Sequence, residues 1–171
     1  MDKAETAAMI RVNQAGEYGA ARIYAGQLAV MGNRTPAARS IRHMAAQEQR
    51  HLERFNAMMA ERGVRPTLLH PLWHVAGYAL GAASAFVGPE AAMACTVAIE
   101  TEIDRHYGEQ LVEIGESDPE LSEAIADFQA EEVEHKATAL AEGAERAPGF
   151  PVMSALVRLG CRAAIMVSKR I

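Results

Sequence analysis

Glutamate and histidine occur twice in this sequence at a spacing that can bind metal ions. Glu132 precedes His135 by three residues, and Glu48 precedes His51 by the same interval. Residues three apart share one face of an α-helix, so each pair can offer a carboxylate and an imidazole to a single ion. One such pair arises easily by chance, because both residue types are common. The second copy favours a shared metal site over coincidence.

Each pair is preceded by another glutamate in a small, apolar stretch. Glu17 lies 31 residues before Glu48, and Glu100 lies 32 residues before Glu132. Four carboxylates and two imidazoles carried by four helices form the ligand set of the ferritin-like di-iron and di-manganese carboxylate proteins. The repeated pattern therefore predicts an all-α fold, a ferritin-like four-helix bundle with a metal pair in its core.

The ligand types favour iron or manganese. Carboxylate oxygens with one imidazole per ion suit these metals better than copper or zinc, which prefer softer or more nitrogen-rich ligands. Four carboxylates balance the charge of two divalent ions, and two ferrous ions could together give dioxygen the two electrons that its activation needs. We expect Glu48 and Glu132 to bridge the ions, and Glu17 and Glu100 to be terminal ligands.

Alternative functions are compatible with the same residues but have weaker support. An iron-storage or ferroxidase protein could use this ligand set and would form a large hollow oligomer, whereas a non-enzymatic helical adaptor would bind no metal. A hydroxylase of another bulky substrate, such as modified RNA, fits the metals, but the net charge of −5 gives no reason to expect a nucleic-acid partner. Purely structural Glu–Arg and Glu–His pairs would leave six titratable groups in the core without enough inward cations.

The helices that carry these ligands have clear start and stop signals within a single domain, residues 1–171. Thr35-Pro36 and Asp118-Pro119 each combine an N-cap with a proline in the first turn, and Gly88-Pro89 marks another start. Gly32-Asn33-Arg34 closes the first helix. The predicted bundle helices cover about Ala4–Met31, Pro36–Arg62, Pro89–Ile114 and a segment from Pro119 through His135.

Each helix places its ligands on an inward stripe where an apolar residue would otherwise lie. Gly16 and Gly19 flank Glu17. Each glycine weakens a helix by about 1 kcal/mol relative to alanine, so close approach of a ligand or a neighbouring helix would explain them. Five other glutamates fall off the stripe, and we expect them to be solvated: Glu102, Glu109, Glu113, Glu131 and Glu134.

The segment between Arg65 and Glu90 contains no charged residue. Leu72 to Val87 is predicted as an apolar helix that crosses between the two helical hairpins. Its 16 residues span only about 24 Å as a helix, short of the ~30 Å hydrocarbon core of a bilayer, which argues against a transmembrane helix. The segment could be a buried crossover, a subunit interface, or a membrane-surface element with Trp73 and Tyr78 at the headgroup level.

A terminal helix follows residues 148–151 and is predicted to end near Ile171. Arg158, Arg162 and Lys169 fall on one narrow face, and apolar residues cover the rest of this amphipathic helix. We expect the basic face to contact an anionic membrane surface. The helix could equally dock on its own bundle, which is negatively charged.

Cysteine usage and the N-terminus indicate a reducing, intracellular compartment. Cys95 and Cys161 occur singly in apolar helical stretches, and we expect both to be buried, inert thiols, since neither belongs to a Cys-x-x-Cys motif. The first residues show neither the basic and apolar regions of a secretory signal nor an Arg-rich organelle-targeting leader.

Five segments carry a resemblance to a known family: Asn13–Ala20, Glu48–Leu52, Ala94–Glu100, Glu131–His135 and Gly160–Ile165. They resemble the demethoxyubiquinone hydroxylases from about residue 8 to the C-terminus, with all six metal-ligand positions occupied. The resemblance implies a di-iron monooxygenase that uses dioxygen and two electrons to hydroxylate the ring of demethoxyubiquinone or its quinol. It also implies a prenylated quinone substrate, peripheral membrane association and a lipid-binding accessory protein as a partner. Lacking a mitochondrial leader, the chain resembles a bacterial enzyme at the cytoplasmic face of the cell membrane.

The pair His106-Tyr107 also matches that family, in which it is implicated in moving electrons from reduced nicotinamide, or from the quinone, to iron. The resemblance thus implies a redox role for both residues and makes NADH a candidate electron donor. From spacing alone, Tyr107 lies seven residues after Glu100, two turns along the same helix face. A core tyrosine beside a surface histidine is the alternative.

Overall fold

The computed structural model describes residues 2–32 and 35–171, and all regular structure within these residues is helical. The predicted all-α fold is confirmed. The predicted turn residues Asn33 and Arg34 lie outside the described part of the chain. Among the described residues, the α-helices are α1 (Lys3–Met31), α2 (Pro36–Arg62), α3 (His70–Val87), α4 (Pro89–Ile114), α5 (Pro119–Ala141) and α6 (Phe150–Ser168), with a short 3-10 helix at Ala144–Arg146.

Side-chain caps set the starts of two bundle helices where the sequence predicts them. The hydroxyl of Thr35 accepts a hydrogen bond from the backbone nitrogen of Ala38 at 3.1 Å, and Asp118 Oδ1 accepts one from that of Leu121 at 3.1 Å. The apolar helix α3 starts at His70, two residues earlier than predicted. Pro71 fits there because the first turn of a helix leaves its backbone N–H groups unpaired in any case.

Two apolar clusters pack above and below the middle of the bundle. One cluster contains Tyr24, Met44 and Val97, and the other contains Phe55 and Ile125. In each of α1, α2, α4 and α5, the predicted metal ligands lie in sequence between residues of the first cluster and residues of the second. The core therefore holds the four helices together at both ends and leaves its centre to polar ligands.

The crossover helix α3 lies against α1 through glycines. A Cβ atom at Gly81 would collide with the backbone of Ile23, and one at Gly26 would collide with the backbone of Tyr78. Only small residues of α3 are buried, whereas large apolar ones are exposed, Phe86 by 85%. The helix crosses between the hairpins as predicted. Of the alternatives left open for it, the buried crossover does not fit, because only its narrow glycine face meets the bundle.

The terminal helix α6 docks on α4 through its basic face. Arg158 Nε donates to Glu102 Oε1 at 2.6 Å, Arg162 Nε donates to Glu102 Oε2 at 2.8 Å, and Lys169 Nζ lies 4.0 Å from Glu113. Glu102 is fully buried, so its prediction as a solvated residue is wrong. The expectation that the basic face points outward to lipid is also wrong in this structure, since two of the cations pair with a buried carboxylate of the bundle.

The outward face of α6 is apolar. Its most exposed large side chains are Val152, Leu156, Leu159 and Met166. Within the described residues, α6 is the one helix long and apolar enough to cross a membrane by length and composition alone. Trp73 Nε1 in α3 donates to Ser168 Oγ at the end of α6, at 3.0 Å, so the two helices with exposed apolar faces are neighbours.

Candidate metal centre

The six predicted ligands converge at the middle of the bundle, and all six are buried. Their ligand atoms form two groups of four, each within 4.8 Å: Glu17, Glu48, His51 and Glu132 in one, and Glu48, Glu100, Glu132 and His135 in the other. Glu48 and Glu132 belong to both groups. The arrangement provides two adjacent metal positions that share two carboxylates.

Both imidazoles turn Nδ1 towards the carboxylates. His51 Nδ1 lies 3.1 Å from Glu132 Oε1 and 3.3 Å from Glu17 Oε2. His135 Nδ1 lies 2.9 Å from Glu132 Oε2 and 3.3 Å from Glu48 Oε1. The Nε2 atoms are left for hydrogen bonds outside the cluster, which is the arrangement expected of metal-binding histidines.

The ligand atoms that face the centre lack hydrogen-bond partners among the described residues. They are Glu17 Oε2, both oxygens of Glu48, His51 Nδ1, Glu100 Oε2 and Glu132 Oε1. Each buried polar atom without a partner costs about 1–3 kcal/mol. Two divalent cations would supply the missing partners and balance the four carboxylate charges. The residues present therefore fit a metal pair.

The pKa shifts within the cluster also fit a metal pair. Burial, together with repulsion from Glu132, raises the pKa of Glu48 well above its usual value, and the same two causes raise the pKa of Glu100. Burial also opposes the charge of Glu132, but a hydrogen bond from His135 and close contact with His51 outweigh it and lower the pKa of Glu132 to about 2. Carboxylates that repel one another in a dry core are a strong site for cations.

Two buried tyrosines hydrogen-bond Glu17 and Glu100, the glutamates that each belong to only one of the two ligand groups. Tyr24 in α1 donates to Glu100 Oε1 at 2.5 Å, and Tyr107 in α4 donates to Glu17 Oε1. Tyr24 lies seven residues after Glu17, the same interval that separates Tyr107 from Glu100. Sequence reasoning missed Tyr24 as a site residue, although this repeated interval could have revealed it.

An apolar cavity of about 390 Å³ lies between α1, α3, α4 and α6. Gly16, Gly19 and Ile99, the sequence neighbours of Glu17 and Glu100, line its inner wall. A Cβ atom at Gly16 or Gly19 would meet nothing within 4 Å, so these two glycines widen the cavity next to the part of α1 that carries Glu17. Small-molecule sites typically have volumes of this order, lined mainly by apolar side chains.

Both cysteines were predicted to be buried, inert thiols, and one of them is fully buried. Cys95 is buried and Cys161 is half-buried in the wall of the apolar cavity. Burial raises the pKa of each thiol to about 12. Both therefore remain protonated and unreactive at neutral pH.

A family model described as "Ubiquinone biosynthesis protein COQ7" matches residues 4–168. The chain belongs to the COQ7 family. The resemblance seen in the sequence segments is thereby confirmed.

Named relatives of this COQ7-family chain are hydroxylases. The 3-demethoxyubiquinol 3-hydroxylase of Rhodospirillum rubrum is 52% identical over 162 residues, which cover 95% of this chain and 76% of that protein. The NADPH-dependent 3-demethoxyubiquinone 3-hydroxylase, mitochondrial, of Mus musculus is 48% identical over 174 residues, which cover 99% and 80%. The 5-demethoxyubiquinone hydroxylase, mitochondrial, of Saccharomyces cerevisiae is 38% identical over 179 residues, which cover 95% and 77%.

The structure places His106, which is half-buried, in a polar network with the buried side chains of Gln110 and Asn13. Gln110 Nε2 lies 2.9 Å from His106 Nε2, and two hydrogen bonds of 2.8 and 2.9 Å join the side-chain amides of Gln110 and Asn13. Burial lowers the pKa of His106 to about 4, so the imidazole is neutral at pH 7. Its ring centroid lies 6.3 Å from that of Tyr107. The predicted pair thus spans from Glu17, a predicted metal ligand, outward to a neutral histidine.

Glu131 differs from its prediction as a solvated residue. Its side chain is only 28% exposed and faces α2, where Arg50 Nη2 donates to both of its oxygens at 3.0 and 2.9 Å. The α5 residue Glu134, in contrast, is exposed as predicted. When Glu132 points into the core, helix geometry directs its neighbour Glu131 to the contact between α2 and α5. The pattern of apolar residues along α5 alone does not reveal this contact.

Proposed function

We propose that this chain is a dioxygen-dependent di-iron hydroxylase that adds a hydroxyl group to the ring of demethoxyubiquinol during ubiquinone biosynthesis. The observation that carries the proposal is the buried cluster of four carboxylates and two imidazoles, with unpartnered atoms facing inward, beside an apolar cavity. Family membership and the names of the relatives support the substrate class.

The proposed ligands divide between two iron ions. Glu17 and His51 would hold one ion, Glu100 and His135 would hold the other, and Glu48 and Glu132, which belong to both groups, would be shared by the two. When bound, the iron pair supplies the redox chemistry that activates dioxygen. Redox-inactive ions such as zinc or magnesium would fill the same positions without supplying electrons.

An external reductant supplies the electrons that the overall reaction needs. One dioxygen, two electrons, two protons and one ring C–H bond give one ring C–OH group and one water. NADH or NADPH is the proposed source of the electrons, and the name of the mouse relative supports a nicotinamide. We assign His106 and Tyr107 to the path of electrons or protons, because Tyr107 hydrogen-bonds the ligand Glu17 and stands beside the half-buried His106.

The chain's own residues position the substrate and exclude water. The cavity wall formed by Gly16, Gly19 and Ile99 leaves room for a substituted ring next to Glu17 and Glu100. A hydrophobic wall favours the apolar quinone over water, and a dry site strengthens every electrostatic interaction in it. Tyr24 and Tyr107 hold one oxygen of each terminal carboxylate and leave the other for metal.

A prenylated quinone resides in lipid, and we propose that this protein meets it there. Helices α3 and α6 line part of the cavity, and the exposed faces of both helices are apolar. These faces support peripheral membrane contact by hydrophobic insertion rather than by the basic face of α6. The proposed location is the cytoplasmic face of a bacterial cell membrane, with a lipid-binding accessory protein as a further partner.

The test is a single-turnover assay with isotopically labelled dioxygen. Metal-free protein is loaded with two equivalents of ferrous iron, mixed with demethoxyubiquinol in vesicles, and exposed to ¹⁸O₂ with NADH as reductant. The expected result is one ¹⁸O atom in the new ring hydroxyl. Iron oxidation that continues beyond two ions per chain, with no hydroxylated quinone, would instead support the storage function.

A further inference from the structure

The outer nitrogens of the two metal-binding histidines have different hydrogen-bond acceptors. His51 Nε2 lies 3.2 Å from Glu131 Oε2, and His135 Nε2 lies 3.2 Å from Gln47 Oε1. A carboxylate can only accept, so His51 Nε2 must carry the proton and donate it to Glu131. Gln47 Nε2 donates to Glu131 Oε2 at 2.7 Å, which leaves Gln47 Oε1 to accept from His135.

These two acceptors occupy equivalent positions of the sequence repeat. Gln47 immediately precedes Glu48, and Glu131 immediately precedes Glu132. Each acceptor reaches across from its own helix to the histidine of the other. The ligand set and the two tyrosines repeat in both halves of the bundle, whereas here one half carries an amide and the other a carboxylate.

The surroundings of the two imidazoles also differ. His51 is fully buried and stacks on Phe128, with ring centroids 4.0 Å apart. His135 and Gln47 line a polar crevice of about 320 Å³ between α2 and α5. The acceptors differ in exposure as well: Gln47 is 8% exposed, whereas the Glu131 side chain is 28% exposed.

A carboxylate and an amide do not polarise an imidazole equally. Hydrogen bonds to a charged acceptor are roughly twice as strong as those between neutral groups. An acceptor that draws the Nε2 proton towards itself makes Nδ1 a more basic metal ligand. Arg50 offsets part of the Glu131 charge, but its side chain is 57% exposed, which screens its effect.

We propose that Glu131 and Gln47 make the two metal positions chemically different, with the His51 position binding its ion more tightly. Both residues are positioning residues that act through the histidines. The inference rests on the metal pair of the proposed function. It goes further by ranking the two positions: the His51 ion is loaded first and, as iron, is the more easily oxidised of the two.

The test compares the protein with two variants. In Glu131→Gln both histidines donate to amides, and in the double variant Glu131→Gln with Gln47→Glu the acceptors are exchanged without a change of net charge. Ferrous iron and cobalt(II) are titrated into metal-free protein anaerobically, and the ⁵⁷Fe-loaded forms are compared by Mössbauer spectroscopy. Glu134→Gln is the matched control, because it removes a charge from an exposed position of the same helix.

The expected results concern the difference between the two binding steps. Glu131→Gln should weaken the tighter step by about 10–100-fold, as outer-shell changes typically do, and should bring the two iron quadrupole doublets together. The exchanged double variant should restore two unequal steps. In the zinc-loaded forms, the most downfield ring N–H signal should belong to His51 in the unmodified protein and to His135 in the double variant.

Three outcomes would overturn the inference, and a fourth concerns the proposed function. Unequal steps that persist in Glu131→Gln, or a ring N–H order that the exchange does not reverse, would show that the acceptors do not set the difference. A similar weakening in Glu134→Gln would reduce the effect to general charge. Failure of the unmodified protein to bind two ions would instead refute the metal pair itself.

Discussion

The hydroxyl of Tyr24 donates a hydrogen bond to Glu100 Oε1 over 2.5 Å, from α1 to α4. Tyr107 in α4 reciprocates by donating to Glu17 in α1. Each tyrosine thus holds the glutamate of the opposite helix, and each glutamate keeps its Oε2 atom without a partner among the described residues. The two terminal carboxylates are fixed in place with one free oxygen each, so a metal pair would find its ligands already oriented.

Loss of a shared ligand should cost more metal than loss of a terminal one. Glu132 belongs to both ligand groups, whereas Glu17 belongs to one. Glu132→Ala should therefore lose both ions and all turnover, and His135→Ala should also be inactive, while Glu17→Ala should retain more iron than Glu132→Ala. Metal analysis of the purified variants with a hydroxylation assay measures this. Two irons and normal turnover in Glu132→Ala would refute the site.

Stripping the metal should make stability fall as pH rises. Burial and mutual repulsion raise the pKa of Glu48 and Glu100 in the folded chain. Burial lowers the pKa of His51, but its close contacts with the carboxylates of Glu132 and Glu17 outweigh this and raise it to about 10. All three shifts mean that the folded chain binds more protons than the unfolded one, so their stability contribution is present at low pH and lost as pH rises.

The measurement is the melting temperature of metal-free and iron-loaded protein from pH 9 down to pH 3. Metal-free protein should melt lower at neutral pH, and the deficit should shrink as pH falls. Below about pH 4.5 the trend should reverse, because protonation of Glu132, whose pKa is lowered to about 2, then removes its pairing with the histidines. Equal melting temperatures with and without iron at pH 7 would contradict a buried ligand set.

The ligand-bearing helices could be predicted because their signals are local. Glu48 and His51 are fixed relative to one another by helix geometry, and Thr35 and Asp118 mark helix starts that the structure contains. Tyr24 could have been predicted in the same way, because it lies seven residues after Glu17 on the same helix. No long-range information was needed for these features.

The orientation of α6 could not be predicted, because it depends on a distant partner. A helix with a basic stripe and an apolar remainder can turn either face to the bundle. The choice rests on Glu102, which approaches Arg158 across 56 residues of sequence. Once the arginines cover that carboxylate, the apolar face must point outward. The partial burial of Glu131 could not be predicted for the same reason, since its partners lie on α2.

Glu102 should act as the attachment point of α6. Burial opposes its charge, but hydrogen bonds from Arg162, Arg158 and Arg105 outweigh this and lower its pKa to about 2. Glu102→Gln should reduce the free energy of unfolding by about 1–3 kcal/mol, the worth of hydrogen bonds to a charged group. It should also speed proteolysis within α6 and raise KM for the quinone, since α6 lines the cavity.

Glu109→Gln is the control for Glu102, measured by denaturant unfolding and limited proteolysis. It removes the same charge from the same helix but breaks only a surface ion pair with Arg105, which is worth little. If both variants unfold alike and α6 stays protected in each, the attachment role is refuted.

Membrane binding should depend on the apolar face of α6. Val152 and Leu159 are 66% and 65% exposed. Because fully burying such a side chain is worth about 1.5–3 kcal/mol, replacing both with serine should weaken binding to vesicles more than tenfold. High salt should change binding little, since Arg158 and Arg162 pair with Glu102. Val133→Ser in α5 is the control in the sedimentation assay, and strong release by salt alone would favour basic-face binding.

An assay that separates electron delivery from oxygen chemistry tests the proposed role of His106 and Tyr107. Hydroxylation with dioxygen needs two external electrons, whereas hydrogen peroxide brings the same oxidation level to the oxidised enzyme without them. Tyr107→Phe and His106→Ala should retain both irons, lose most dioxygen-dependent turnover, and keep substantial product formation with peroxide. Tyr24→Phe removes the equivalent hydrogen bond at Glu100 with no histidine beside it in sequence. It therefore measures what the hydrogen bond to a terminal carboxylate is worth by itself.

The comparison of the two tyrosine variants decides the role of Tyr107. If Tyr107→Phe loses far more dioxygen-dependent turnover than Tyr24→Phe, while both respond alike to peroxide, the difference must come from the path through His106. Equal losses in both assays would assign Tyr107 to holding Glu17, as Tyr24 holds Glu100. Loss of the peroxide reaction with iron intact would mean that the pair shapes the substrate pocket. Because His106 has a pKa of about 4, a neutral imidazole is the reacting form, and the activity carried by this path should not fall between pH 8 and pH 6 through protonation of His106.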